Sequence, residues 1–188
     1  MRKFIILLIF PVLMLLFGCV KNSGEIGGAI AMRQKLLSAN GCAFKATVNA
    51  DYGDKIFSFT MQCEADKVGD VTFSVVAPDE IAGISGKITE IGGHLTFDDK
   101  ALAFAPIADG QVTPVTAPWL LVKTLRSGYI SSCGKDGDHI YMQIDDSYAQ
   151  QALHLDIWTD KSFEPIRGEI LWMGKRILTI LVEDFEIM

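Results

Sequence analysis

The sequence predicts a mainly β protein with some α-helix (α+β), built on a strongly curved antiparallel sheet that stays open as a half-barrel. Apolar and polar residues alternate along most of the chain after Gly41, and turn residues separate these runs at short intervals. The runs amount to about ten or eleven strands. An open sheet of that size curls, and its concave apolar face needs helices as cover.

Two helices are predicted to supply this cover. The first begins at Asn22 or Ser23 and runs to about Ala39, where Asn40-Gly41 ends it. Its apolar residues at helical spacing are Ile26, Ile30, Leu36 and Leu37. The second, shorter helix runs from about Ala117 to Leu125, and it follows an irregular stretch rich in proline, 106–118.

The first two strands are predicted to form a hairpin around a four-residue loop, 51–54. In that register Val48 faces Phe57, Ala46 faces Phe59, Phe44 faces Met61, and Cys42 faces Cys63. The other strands are predicted at Val71–Ala77, Ile84–Ile91, His94–Phe97, about 101–104, Tyr129–Cys133, Asp138–Ile144, Gln150–Trp158, Ile166–Met173 and Ile177–Glu186. A turn at Asp99-Lys100 would set Phe97 against Leu102 and Leu95 against Phe104.

The N-terminus has the pattern of an export signal. Arg2 and Lys3 precede an apolar run of about 14 residues, which is shorter than the roughly 20 that a membrane-spanning helix needs. The run ends in Leu16-Phe17-Gly18-Cys19, a sequence that resembles the bacterial lipobox. We therefore expect a signal peptide at 1–18, lipidation of Cys19, a short tether at 19–23 and one domain at 24–188.

Charge and length exclude some functions and set the expected location. Removal of Arg2 and Lys3 with the signal peptide takes the formal net charge from −6 to −8, and no basic stripe follows. A nucleic-acid partner is therefore not expected. Stable anchoring takes more than one acyl chain, such as the two or three of a lipidated Cys19. The predicted location is extracytoplasmic, at the cell membrane or at an outer membrane where one exists.

The cysteines predict one disulfide bond. Cys42 lies opposite Cys63 in the predicted register, and an exported protein occupies a compartment that permits disulfides. Two reduced, buried cysteines are the alternative. Cys133 has no predicted partner; it is interpreted as a packed small residue, although His139 lies across the same hairpin and a base of that kind can activate a thiol.

No pattern in the sequence predicts an enzyme, a cofactor or a metal site. His94, His139 and His154 lie on separate strands without metal-ligand spacing. Ser132-Cys133-Gly134-Lys135 has Ser-x-x-Lys spacing but occurs at a strand end rather than a helix start. His154, Asp156 and Trp158 share one strand face, which is either a polar site or, as favoured here, an outer sheet surface.

A family resemblance follows from the order of these elements and from three local segments. The segments are Val76-Ala77-Pro78, Ala117-Pro118-Trp119-Leu120-Leu121, and the run from Asp156-Ile157-Trp158 to Glu164-Pro165-Ile166-Arg167-Gly168. With the lipobox and the N-terminal helix, residues 24–186 resemble the lipoprotein-localisation-factor superfamily of bacterial lipoproteins. The resemblance implies an unclosed barrel whose concave face and covering helices hold acyl chains or a hydrophobic peptide.

Two functions follow as hypotheses. The first is a membrane-anchored lipoprotein that binds a lipid or other hydrophobic ligand, and the second is a structural or sensing module of the envelope that docks a protein partner. Strand alternation independently gives candidates for an apolar ligand face: Phe44, Val48, Phe57, Phe59, Met61, Phe73, Val75, Leu95, Phe97, Leu102 and Phe104, with Trp119 and Leu120 on the helix above. The same residues could form a filled core, because apolar patterning does not distinguish a cavity from a core.

Overall fold

A computed structural model describes residues 23–53, 55–105, 107–108, 111–147 and 152–188. The predicted signal peptide and Cys19 lie outside the described residues. The described residues contain two helices, α1 (Ser23–Ser38) and α2 (Ala117–Ser127), and 3₁₀ turns at Asp79–Ile81 and Pro114–Thr116. The predicted helices at both places are confirmed.

Eleven strands form one antiparallel sheet, and two more form a small hairpin. The strands are β1 (Gly41–Asp51), β2 (Ile56–Asp66), β3 (Val71–Ala77), β4 (Ser85–Thr89), β5 (Gly92–Phe97), β6 (Lys100–Phe104), β7 (Ile107–Ala108), β8 (Gln111–Val112), β9 (Tyr129–Asp136), β10 (His139–Asp145), β11 (Leu153–Thr159), β12 (Pro165–Trp172) and β13 (Lys175–Ile187). The β7–β8 hairpin lies in the stretch that the sequence predicts to be irregular.

The sheet is a meander that is not closed. Its order is β6-β5-β4-β3-β2-β1-β13-β12-β11-β10-β9, so the first strand pairs with the last at the centre while β6 and β9 stay as edges. The predicted fold class, a curved antiparallel half-barrel with helical cover, is confirmed. Alternation on β1 defines the two faces: Phe44, Ala46 and Val48 are buried, whereas Lys45 and Thr47 are partly exposed on the other side.

The β1–β2 register differs from the predicted one by two residues. Asp51 pairs with Ile56, so the loop comprises 52–55, and the Asp51 carboxylate accepts a hydrogen bond from the Gly53 N–H at 2.8 Å. Gly53 has φ +89°, which suits its place inside the turn. A shift of two keeps every side chain on its predicted face because the side-chain period of a strand is two.

This shift overturns the predicted disulfide. Cys42 faces Ala65 and Cys63 faces Phe44, so the two cysteines are diagonal neighbours rather than an opposed pair. Diagonal positions lie roughly 7–8 Å apart, beyond the usual Cα separation of a disulfide. Cys42 and Cys63 are free and buried, and Cys133 is buried as well.

The β5–β6 hairpin shows the same kind of correction. Phe97 pairs with Lys100 and Leu95 with Leu102, again two residues from the predicted pairing. Asp98 and Asp99 occupy the turn with φ of 49° and 60°, the left-handed conformation that a two-residue hairpin of this type requires. Phe104 consequently faces Gly93, where a side chain would collide with its ring.

Substituting Phe44 tests where the core lies. Phe44 is 2% exposed and packs on Phe185 with ring centroids 5.6 Å apart. We expect Phe44→Ala to lower the free energy of unfolding by about 3–5 kcal/mol, because it leaves a cavity in the core. Urea denaturation is the measurement. Phe97→Ala is the matched control, since Phe97 is 45% exposed; an equal loss in both variants would contradict the assignment.

Thiol titration tests the corrected register. Burial raises the pKa of Cys42 to about 11 and raises the pKa of the Cys63 and Cys133 thiols as well. Near neutral pH these side chains therefore hold their protons, and a thiol must lose its proton to react. In the folded protein we expect no reaction of Cys42, Cys63 or Cys133 with a disulfide reagent, and reaction of all three in denaturant. Only one of them reacting in denaturant would restore the Cys42–Cys63 bridge.

Candidate functional site

The concave face of the sheet is divided into a filled part and an open part. α2 lies across the filled part, and four of its own side chains are buried there: Trp119, Leu120, Leu121 and Leu125. Beyond the N-terminal end of α2 an open cavity of about 560 Å³ remains. Its walls are Tyr52, Phe57, Phe59, Val75, Ile81, Ile84, Leu95, Val112, Thr113, Pro114 and Val115. We call this space the open cavity.

Each wall of the open cavity comes from a different part of the chain. The floor is the inner face of β2, β3 and β5, which presents Phe59, Val75 and Leu95. One side is the segment between β3 and β4, with Ile81 and Ile84. The opposite side is 112–115, the segment that leads into α2. The cavity thus forms where two connections rise over the end of a curved sheet.

Tyr52 fixes the wall that lies beside α2. Its hydroxyl donates a hydrogen bond to the Val112 carbonyl at 2.8 Å, and its ring meets Phe57 edge-on with centroids 6.2 Å apart. Burial raises the pKa of this phenol, so it stays protonated and remains a donor. The Thr113 hydroxyl donates to the Ala105 carbonyl at 3.0 Å. Both side-chain hydroxyls in the wall are therefore already hydrogen-bonded.

The predicted ligand-face residues separate into three groups. Phe57, Phe59, Val75 and Leu95 line the open cavity. Six others are core: Phe44, Val48, Met61, Phe73, Trp119 and Leu120 are at most 6% exposed, and Phe104 packs against that core. Phe97 and Leu102 belong neither to the cavity lining nor to the core. They are 45% and 61% exposed at the β6 edge of the sheet.

Sequence reasoning missed seven of the lining residues. They are Tyr52, Ile81, Ile84, Val112, Thr113, Pro114 and Val115. None belongs to the alternating part of a long strand, so the periodicity that identified the floor carries no signal for them. One signal in the sequence was available. Loops usually favour polar residues, so apolar residues in a connection that contains proline, such as 112–115, indicate a buried or lining segment.

The polar residues around His154, the second candidate site from the sequence, lie on the convex face of the sheet. His154 Nδ1 lies 2.6 Å from an Asp145 oxygen, and its Nε2 lies 3.2 Å from Asp156. The Tyr141 hydroxyl donates to Asp156 at 2.6 Å, and this contact together with burial raises the pKa of the phenol. Trp158 donates from Nε1 to Asp136 at 2.8 Å.

The polar side chains of this convex cluster pair with one another. Arg167 lies 4.7 Å from the Trp158 ring centroid and contacts Glu169, which also accepts from Arg176 at 2.9 Å. The favoured interpretation, an outer sheet surface, agrees with these contacts. Within the described ranges, no group of three or more His, Cys, Asp or Glu is arranged to hold a metal ion.

Comparison with known proteins finds similarity in structure only. The sequence matches no family model and no curated protein. Among solved structures, an uncharacterized conserved protein from Thermus thermophilus matches at 12% identity and TM-score 0.48, over 87% of this chain and 88% of that one. A LolA superfamily protein from Nitrosomonas europaea matches at 8% and 0.44, over 85% and 93%. The lipoprotein LppX from Mycobacterium tuberculosis matches at 9% and 0.41, over 86% and 93%.

These three structures resemble the chain at TM-scores of 0.41–0.48 and identities of 8–12%. At these identities the likeness extends to the arrangement of the chain and to nothing about ligands or partners. Neither of the helices in the described residues is both long and apolar enough to cross a membrane.

The hydroxyl of Tyr52 offers a direct test of the cavity wall. Tyr52→Phe removes the donor to the Val112 carbonyl while keeping the ring, so we expect the free energy of unfolding to fall by about 1 kcal/mol. Faster amide exchange in 112–115 should accompany the loss. Tyr129→Phe is the matched control because Tyr129, 51% exposed, does not line the open cavity. Unchanged exchange in 112–115 would show that Tyr52 does not hold this wall.

Proposed function

We propose that this protein is a non-enzymatic lipoprotein of the bacterial envelope that binds a lipid or similar amphiphile in the open cavity. In this proposal acyl chains on Cys19 hold it to a membrane after removal of residues 1–18. The location is extracytoplasmic, and the domain at 24–188 is the part that binds the ligand.

The open cavity is the observation that supports ligand binding. A volume of about 560 Å³ falls within the roughly 300–1,000 Å³ of typical small-molecule sites. Among the described residues, its lining is aliphatic and aromatic apart from the two engaged hydroxyls, and it includes no carboxylate or amine. Such a wall favours an alkyl chain or another apolar group, since burial from water supplies the free energy of binding.

The chemistry of the wall also favours an amphiphile over a fully apolar ligand. Phe57 is 47% exposed, so the cavity is open to solvent on the side of β2. The polar end of a bound molecule can therefore stay in water while its apolar part is buried. A carbonyl or carboxylate deeper inside would lose its hydration without gaining a hydroxyl donor, because Tyr52 and Thr113 already donate elsewhere.

The alternative, a structural or sensing module that docks a protein partner, predicts a solid interior. The interior is solid beneath α2, where Trp119 and Leu120 are buried. The open cavity is unexplained by that alternative. Ligand binding is therefore the function that the geometry favours.

Filling the cavity should abolish ligand binding. Val75 lines the open cavity, whereas its neighbour Val76 points to the other face and is 42% exposed. We expect the full-length protein to carry a lipid or an added deuterated fatty acid in native mass spectrometry. Val75→Trp should lose this adduct, because the indole occupies the cavity.

Val76→Trp is the matched control and should keep the adduct. Circular dichroism and urea denaturation establish that both variants are folded. Absence of any adduct on the parent protein, or equal occupancy in Val75→Trp and Val76→Trp, would contradict ligand binding in this cavity.

A further inference from the structure

The exposed side of α1 is unusually poor in charge. Ile26, Ile30 and Leu37 fall on one stripe of the helix and are 40%, 46% and 45% exposed. Apolar residues at this spacing are predicted to face the core, yet the buried side of α1 consists of Ala29, Met32 and Leu36. α1 therefore carries a second, outward-facing apolar stripe.

The helix is held to the domain so that this stripe cannot turn inward. Arg33 donates from Nε to the Leu125 carbonyl at 2.7 Å. Glu25, the single acidic residue of α1, lies 3.8 Å from Lys135. Gly28 lies against the Phe163 ring, at a distance that leaves no room for a side chain. These contacts fix the rotation of α1 about its own axis.

Val68 extends the stripe beyond the C-terminal end of α1. The Arg126 guanidinium donates to the carbonyls of Leu36 at 3.1 Å and Lys67 at 2.7 Å, which joins the β2–β3 turn to the helix. Asp66 accepts hydrogen bonds from the N–H groups of 68–70 and so makes that turn rigid. Val68 is nevertheless 77% exposed. We call Ile26, Ile30, Leu37 and Val68 the outer apolar face.

Lysine and arginine side chains border part of this face, in a chain whose net charge is −6. Lys123 and Arg126 line the groove that contains Leu37 and Val68, and Lys67 is exposed on the same turn. Of the two acids in that groove, Asp70 is paired with Lys87 at 2.9 Å, which leaves Glu90. A surface of exposed aliphatic side chains bordered by lysine and arginine is complementary to anionic lipid headgroups.

The position of the predicted lipid anchor indicates what covers the outer apolar face. Three residues separate Cys19 from Ser23, the first residue of α1. Even fully extended, that connection spans no more than about 14 Å. Acyl chains on Cys19 would therefore keep the start of α1 at the bilayer surface. We infer that the outer apolar face rests on the bilayer that holds the Cys19 lipid, with Lys67 and Lys123 against its headgroups.

This inference rests on the anchoring in the proposed function, and not on ligand binding in the open cavity. The test uses full-length protein at one copy per nanodisc of phosphatidylethanolamine and phosphatidylglycerol, with a nitroxide label on Ile30→Cys. The native thiols at 42, 63 and 133 are buried and should stay unlabelled. Ile56→Cys is the matched control, because Ile56 is 73% exposed and pairs with Asp51, at the end of β1 that is farther from α1.

We expect the label at position 30 to collide several-fold less often with a water-soluble nickel complex than the label at 56, and more often with oxygen, which concentrates in lipid. Adding Ile26→Asp should remove the difference by placing a carboxylate against the headgroups. Equal nickel access at 30 and 56 would overturn the inference. Shielding that appears only with two copies per disc would assign the face to a second copy, and shielding only after lysate is added would assign it to a protein partner.

Failure of the anchoring gives a different result. A full-length chain that does not float with the lipid would overturn both the anchoring and the resting of α1 on a bilayer. The mass-spectrometry comparison with Val75→Trp does not depend on that outcome. The two proposals are therefore separately testable.

Discussion

The arrangement of the domain depends on the burial of α2 against the concave face of the sheet. An open sheet of eleven strands presents one apolar face that must be covered, and Trp119, Leu120 and Leu121 cover its centre. α2 has 11 residues and is therefore about 16 Å long. β1 and β2 also have 11 residues each but extend about 36 Å. The helix cannot cover the whole face, and the uncovered end is where the open cavity lies.

Strand alternation predicted which face each side chain occupies better than it predicted which residues meet. Both hairpin registers that were assigned from turn residues differ from the structure by two, while Val48, Phe59 and Met61 still face inward. The inner face survives the error because the side-chain period of a strand is two. Pairing does not survive it, and the predicted bridge between Cys42 and Cys63 depended on pairing.

The cavity and the outer apolar face could not be located from periodicity. Whether an inward side chain is core or cavity wall depends on what lies above it: Phe73 and Val75 alternate identically on β3, yet only Val75 lines the open cavity. On α1, residue type predicted the burial of Leu36 but not the outward position of the two isoleucines or the inward position of Ala29. Docking through Met32 and Leu36, with Gly28 against Phe163, decides that orientation.

The two proposed surfaces lie towards opposite ends of β1. β1 begins at Gly41, beside the end of α1 and the turn that carries Val68, and it ends at Asp51, beside Tyr52 and the open cavity. In a domain that rests on its outer apolar face, the open cavity would therefore lie towards the end of β1 that is farther from that face.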